Sequence, residues 1–210
     1  MLNLCMLSGS FEYDSETSLT IFKKYVERHY PIQANLIAYN SEDDDPSLAA
    51  LDDADALLVF TRRLNTEGAS LRQFQTYCEQ GRPIVGVRTA SHAYQNWLAF
   101  DKVVLGGDYQ GHYGAGPIVR AEVIATEHPI LEDVSAFASY GSLYKNPALR
   151  DDTSVLLMGR TSEHSEPVAW TRLHNSGRVC YTSLGHQKDF EVVPFLRFLA
   201  QSILWVSGQI

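Results

Sequence analysis

Short apolar runs alternate with amphipathic stretches through the first half of this chain, and that order restricts the fold more than any other feature. Leu2 to Leu7 is apolar and ends at Ser8, Gly9 and Ser10, as in a buried strand that opens into a loop. Asp14 to Tyr30 has helical spacing: Leu19, Phe22, Val26 and Tyr30 share one stripe, and Lys23, Lys24, Glu27 and Arg28 face outward. Gln33 to Tyr39 and Asp55 to Phe60 return to strand character. Asn65 to Gln80 is a second amphipathic helix with Leu71, Phe74 and Cys78 inside and Gly81 at its stop, and Pro83 to Val87 is the next strand. Strands alternating with helices mean right-handed crossovers and a parallel sheet covered on both faces.

The rhythm then changes. Ile118 to Thr126 alternates apolar and polar residues, as in a half-exposed strand. Val155 to Gly159, Pro167 to Arg172 and Arg178 to Ser183 are further strands, and Asn175-Ser-Gly177 between the last two is a hairpin signal. Val192 to Val206 closes the pattern as a helix with Phe195, Leu196, Leu199, Ile203 and Val206 on its apolar face. No repeat, low-complexity tract or linker interrupts it. The expectation is one α/β domain over residues 1–210, with a mostly parallel sheet that acquires antiparallel strands late.

Charge narrows the function. Lys plus Arg number 17 against 25 Asp plus Glu, a formal net charge of −8. A nucleic-acid binder normally presents a basic face to phosphates, and an anionic membrane attracts basic segments, so neither partner is expected. No apolar run approaches the ~20 residues that span a bilayer. The first seven residues lack the basic leader of a signal peptide and read as a strand. Three widely spaced cysteines, Cys5, Cys78 and Cys180, suit reduced buried thiols and a cytoplasmic location. Ser41 to Asp45 reads as a solvated acidic loop.

In an open parallel sheet, ligands bind beyond the carboxyl ends of the strands. The segments to inspect are Ser8–Tyr13, Thr61–Leu64, Arg88–Trp97 and the loops after the later strands. Gly86-Val-Arg-Thr-Ala-Ser-His92 has the layout of a nucleophile elbow, but its nucleophile position holds Arg88. Leu105 to Gly114 has four glycines in ten residues; a phosphate cradle is one reading and a plain turn the other. His112 lies in this loop, where a histidine is commonly exposed. In Ser183-Leu-Gly-His-Gln-Lys-Asp189, His186 and Asp189 stand three apart at a strand's end, as a base with its carboxylate or as a helix cap. There is no tight metal motif. A metal site would have to be assembled by the fold from His92, His112 and His186 with Asp108 or Asp189.

Several segments occur in a telling order: Val85-Gly-Val-Arg-Thr-Ala-Ser-His-Ala93, Leu105-Gly-Gly-Asp-Tyr-Gln-Gly-His112, His128-Pro-Ile130, Pro167-Val-Ala-Trp-Thr171 and Gly177-Arg-Val-Cys-Tyr-Thr-Ser-Leu-Gly-His186. Together they resemble the ThuA-like (trehalose-utilisation) family, a branch of the class I glutamine amidotransferase-like fold. The resemblance implies a flavodoxin-like three-layer sandwich with a histidine-holding cleft at the strand ends. Carried over by residue, His112 matches the Gly-Gly-x4-His segment, His186 matches Ser-Leu-Gly-His, and His92 matches a variant elbow. Two departures stand out. Arg88 replaces the cysteine that a glutamine amidotransferase needs, so no glutaminase activity is expected. Gly141-Ser142 stands where many family members carry Asp-Glu.

Two functions follow as expectations. The first is an enzyme acting on a small carbohydrate or keto-sugar. His92, His112 and His186 would move protons, Arg88 would orient an anionic or carbonyl oxygen, and Asp108, Tyr109, Tyr113 and Asp189 would contact the sugar. Zinc or another divalent ion on the histidines would polarise the substrate. The second is a non-catalytic module that binds a small ligand on the same fold. A homodimer is compatible with either.

Overall fold

The computed structural model describes residues 1–114 and 118–210. Among these residues nine strands form one sheet: β1 (Leu2–Gly9), β2 (Ile32–Ala38), β3 (Ala56–Thr61), β4 (Ile84–Val87), β5 (Val119–Val123), β6 (Phe137–Ser139), β7 (Ser154–Arg160), β8 (Ser165–His174) and β9 (Gly177–Thr182). Their order across the sheet is β2-β1-β3-β4-β9-β8-β7-β5-β6. The first five of that order run parallel, with Cys5 opposite Leu57, Val59 opposite Gly86 and Val85 opposite Cys180. From β9 onward every pairing is antiparallel.

Three longer helices cover the sheet: α1 (Ser15–His29), α2 (Gly68–Glu79) and α3 (Val193–Val206). Strand β1 reads as a continuous apolar run because both its faces are covered. Leu4 and Met6 share a core with Phe22 and Val26 of α1 and with Phe195 and Leu199 of α3. Cys5 and Leu7 point the other way, into a second core with Leu71, Phe74 and Cys78 of α2. The result is the three-layer, flavodoxin-like α/β sandwich that periodicity and family resemblance both predict.

Differences from the sequence pattern have local causes. Helix α2 starts at Gly68 rather than Asn65, because the preceding residues pair elsewhere: Leu64 bridges Tyr94, and the Asn65 amide donates to the Glu42 carbonyl at 2.7 Å. Strand β6 is only three residues long, too short to show an alternation. The Ser41–Asp45 loop is tied to its flanks: the Asp44 carboxylate accepts from Asn40, and Asp43 accepts from Asn65 Nδ2 at 2.6 Å. Asn175 and Ser176 form the two-residue β8–β9 turn, both at positive φ, as a type I′ hairpin requires.

Candidate strand-end site

The carboxyl ends of β1, β3, β4 and β9 face one another's loops, and Arg88 lies where they meet. It directly follows β4 and takes φ 47°, then a single helical turn runs from Arg88 to His92. The elbow geometry read from the sequence is therefore present, with its strained residue. That residue is a cation and is 1% exposed. Its Nη1 donates to the Ser183 carbonyl at 2.9 Å and its Nη2 to the Tyr13 hydroxyl at 3.0 Å. The guanidinium lies 4.3 Å from the Tyr13 ring centroid and 4.9 Å from that of Tyr144, a cation–π sandwich. Arg88 Nε has no partner among the described residues.

Gly141 makes this possible. Any Cβ there would collide with the guanidinium nitrogens of Arg88. Next to it, Ser142 Oγ accepts from Nη2 at 3.4 Å. The two departures from the family pattern thus form one arrangement: a bulky cation on the elbow needs a side-chain-free partner across from it.

The three histidines border this stack from different sides. His92 is 9% exposed, lies 3.0 Å through Nδ1 from Ser91 Oγ, and stacks on Tyr109 with ring centroids 4.6 Å apart. Burial, reinforced by the charges of Arg62, Arg63 and Arg88, pushes its pKa down to about 3, so it is neutral at physiological pH. His112 is exposed, bridges Tyr144 through the backbone, and sets its ring 6.5 Å from the Tyr144 ring. His186 is half-buried, meets Tyr13 edge-on at 6.1 Å, and accepts the Lys188 amide on Nδ1 at 3.2 Å. Burial holds its pKa below the usual range, with Asp189 opposing and Arg88 and Lys188 adding to the effect. Among the described residues, no three His, Cys, Asp or Glu side chains come together in a way that could hold a metal ion. Zinc does not fit His92, His112 and His186.

The expected ligand contacts divide. Tyr109 faces the site, half-buried between His92 and Tyr144. Its amide is fixed by Asp101 Oδ2 at 2.9 Å, a buried carboxyl whose pKa is pushed up to about 6, chiefly by burial. Gly107 lets the loop pass, since a Cβ there would strike the Asp101 carboxylate. Asp108 is half-buried and holds Gln110 Nε2 at 3.1 Å. Tyr113 turns away: its hydroxyl donates to Glu166 at 2.7 Å and its ring stacks on His164 at 3.8 Å. Asp189 is fully buried and accepts from Ser139 Oγ, the Tyr140 amide, the Gly185 amide and the His186 amide at 2.6 to 3.0 Å. With no exposed surface, it clasps β6 to the β9 loop behind the site instead of reaching a ligand.

Four site residues escaped the sequence pattern: Tyr13, Arg62, Arg63 and Tyr144. The signal available was the Arg62–Arg63 pair at a strand end already marked for inspection. Arg63 takes φ 50° and its amide donates to the His92 carbonyl at 2.8 Å, which ties the β3 loop to the elbow turn. Thr89 Oγ1 donates to Ser10 Oγ at 3.0 Å and ties the elbow to the β1 loop.

The model of the trehalose-utilisation family, ThuA, matches residues 6–206. Among solved structures, a protein described as ThuA-like from Bacteroides uniformis aligns at 20% identity and TM-score 0.76, over 98% of this chain and 91% of its own. A second described as ThuA-like, from Parabacteroides merdae, aligns at 14% identity and TM-score 0.81, over 99% and 90%. A glutamine amidotransferase from Thermotoga maritima aligns at 10% identity and TM-score 0.56, over 98% of both chains. These likenesses establish the fold. No curated protein matches the sequence. Among the described residues no helix is long and apolar enough to cross a membrane.

Proposed function

The chain belongs to the ThuA, or trehalose-utilisation, family, and on that premise we propose that it binds a small sugar-like ligand at the strand-end site without forming a covalent intermediate. One observation carries the reading: the elbow position that would present a nucleophile is filled by Arg88, buried and packed between Tyr13 and Tyr144. No cysteine substitutes for it. Cys5, Cys78 and Cys180 are all buried, and burial pushes the Cys5 and Cys180 thiols up to about 12. Free thiols throughout also support a cytoplasmic location.

In this reading the residues act by position. Tyr109, stacked on His92, offers a flat aromatic edge for a sugar face. Neutral His92 supplies a hydrogen-bonding ring rather than a charge. His112 and His186 stand at the rim as further donors and acceptors. A second reading, proton transfer on a bound keto-sugar, has one observation in its favour: His112 is exposed and His186 half-buried, so both are open to a ligand.

Saturation-transfer NMR against neutral, oxidised and charged hexoses and disaccharides tests the first reading. Binding that Tyr109→Ala weakens about tenfold or more, with the ligand recovered unchanged, is expected. Turnover of any sugar that stops on His186→Ala in a folded protein would replace it with the second.

A further inference from the structure

The site carries more positive charge than its surroundings neutralise. In a chain of net charge −8, three arginines gather at the ends of β3 and β4: Arg62, Arg63 and Arg88. Arg88 donates to a carbonyl and two hydroxyls, with no carboxylate in hydrogen-bond contact. Its Nε is buried and unpaired among the described residues. Asp189 lies behind it with its oxygens occupied by Ser139, Tyr140, Gly185 and His186. Arg62 has one acidic partner, Glu12 at 3.1 Å, itself mostly exposed. Arg63 is exposed and forms no ion pair among the described residues, yet its backbone is held in the left-handed region by its bond to His92. Arg63 is bonded through its amide to the His92 carbonyl, and Arg88 opens the turn that His92 closes, so both arginines flank the same histidine.

We infer that the strand-end site takes an anionic ligand, a sugar-like molecule bearing a carboxylate or phosphate group. The anionic group would meet Arg63 at the mouth, and Arg88 would act from beneath through its field. Neutral His92 and Tyr109 would contact the uncharged remainder. Arginine is suited to this because its planar fork pairs with carboxylate and phosphate oxygens in two parallel hydrogen bonds. Arg63 is then the residue that sets specificity, and its strained backbone aims it. The sugar-like part of this statement rests on the function proposed above; the anionic part rests on the arginines alone.

Calorimetric titrations with four probes separate the two: a hexose 6-phosphate, a hexuronate, the parent neutral hexose and inorganic phosphate. Either charged hexose should bind at least about tenfold more tightly than the neutral one, and the advantage should shrink as salt is raised. Whichever of the two binds more tightly identifies phosphate or carboxylate as the group recognised. Arg63→Gly should abolish the advantage while leaving the fold intact, because glycine prefers the φ that Arg63 is forced to adopt. Arg63→Lys should restore part of it. Inorganic phosphate binding as tightly as the hexose phosphate would keep the anion site and overturn the sugar-like reading. Neutral hexose binding as tightly as the charged ones would overturn the anion site and keep the sugar-like reading, and an advantage that survives in Arg63→Gly would overturn the assignment of the anionic group to Arg63. No binding by any probe would overturn both.

Discussion

At the β8–β9 hairpin, Asn175 and Ser176 take φ 49° and 69°; at the strand-end site, Arg63 and Arg88 take 50° and 47°. The backbone conformation is similar, but the reasons are opposite. Asparagine tolerates the left-handed region, and a two-residue hairpin demands it, so local sequence and local structure agree. Arginine has no such tolerance. Both arginines are held by their surroundings: Arg88 by Ser183, Tyr13 and Tyr144, and Arg63 by the His92 carbonyl. A turn chosen by its own residues is architecture, whereas a turn imposed on unsuitable residues marks where the fold spends stability on placing a side chain.

Variants at the two regions should respond very differently. The largest effect is expected at Arg88. Arg88→Ala would strip the Tyr13–Tyr144 sandwich and leave the Ser183 carbonyl unpaired, a loss of about 3 kcal/mol or more in urea denaturation. Gly141→Ala should cost a comparable amount through collision with the guanidinium, about 2 kcal/mol. The double variant Arg88→Ala, Gly141→Ala should recover much of that second cost, since the clash is gone. Additive losses would show that Gly141 is not the counterpart of Arg88. Asp189→Asn should cost about 2 kcal/mol, because an amide cannot accept all four hydrogen bonds.

The buried titratable groups give a pH test. His92 has a folded pKa near 3, below its unfolded value of about 6.5, so the unfolded chain takes up a proton first as pH falls. Its contribution to stability is present above pH ~6.5 and is lost progressively toward pH ~3. Asp101 works the other way. Its folded pKa near 6 lies above the unfolded ~3.9, so stability is gained as pH falls from ~6 toward ~4. His92→Gln should therefore flatten the acid-side loss seen by thermal denaturation, and Asp101→Asn should stabilise the protein at neutral pH by about 2 kcal/mol. A His92→Gln variant with an unchanged acid limb would show that the ring is solvated. The smallest effects belong to the backbone: Arg63→Gly should stabilise by about 1 kcal/mol, and Asn175→Gly should change little, within about 0.5 kcal/mol.

The parallel half of the fold was legible because its signal is repeated. Strands β1, β3 and β4 are buried on both faces and each helix carries an apolar stripe, so Leu4, Phe22, Val59 and Phe74 all announce their places. The short strand β6 was not legible, since Phe137, Ala138 and Ser139 are too few to alternate. The site was half legible. Arg88 and His92 sit on the elbow, where a strand–turn–helix pattern can be read directly. Tyr13 and Tyr144 come from distant loops, and only the fold shows that they enclose one guanidinium. Spacing alone left two readings open for His186 and Asp189, a base with its carboxylate or a helix cap; the structure shows the cap, with Asp189 held by four donors and His186 accepting a backbone amide.

The central claim is that Arg88 has turned the elbow from a place for covalent chemistry into a support for binding. Equilibrium dialysis with the tightest-binding sugar, followed by mass-spectrometric analysis of the recovered ligand after prolonged incubation, tests it most directly. The account predicts saturable binding, a ligand of unchanged mass and connectivity, and no adduct on the protein. A converted product formed at a rate that depends on His186, or an adduct on any residue of the elbow turn, would contradict it.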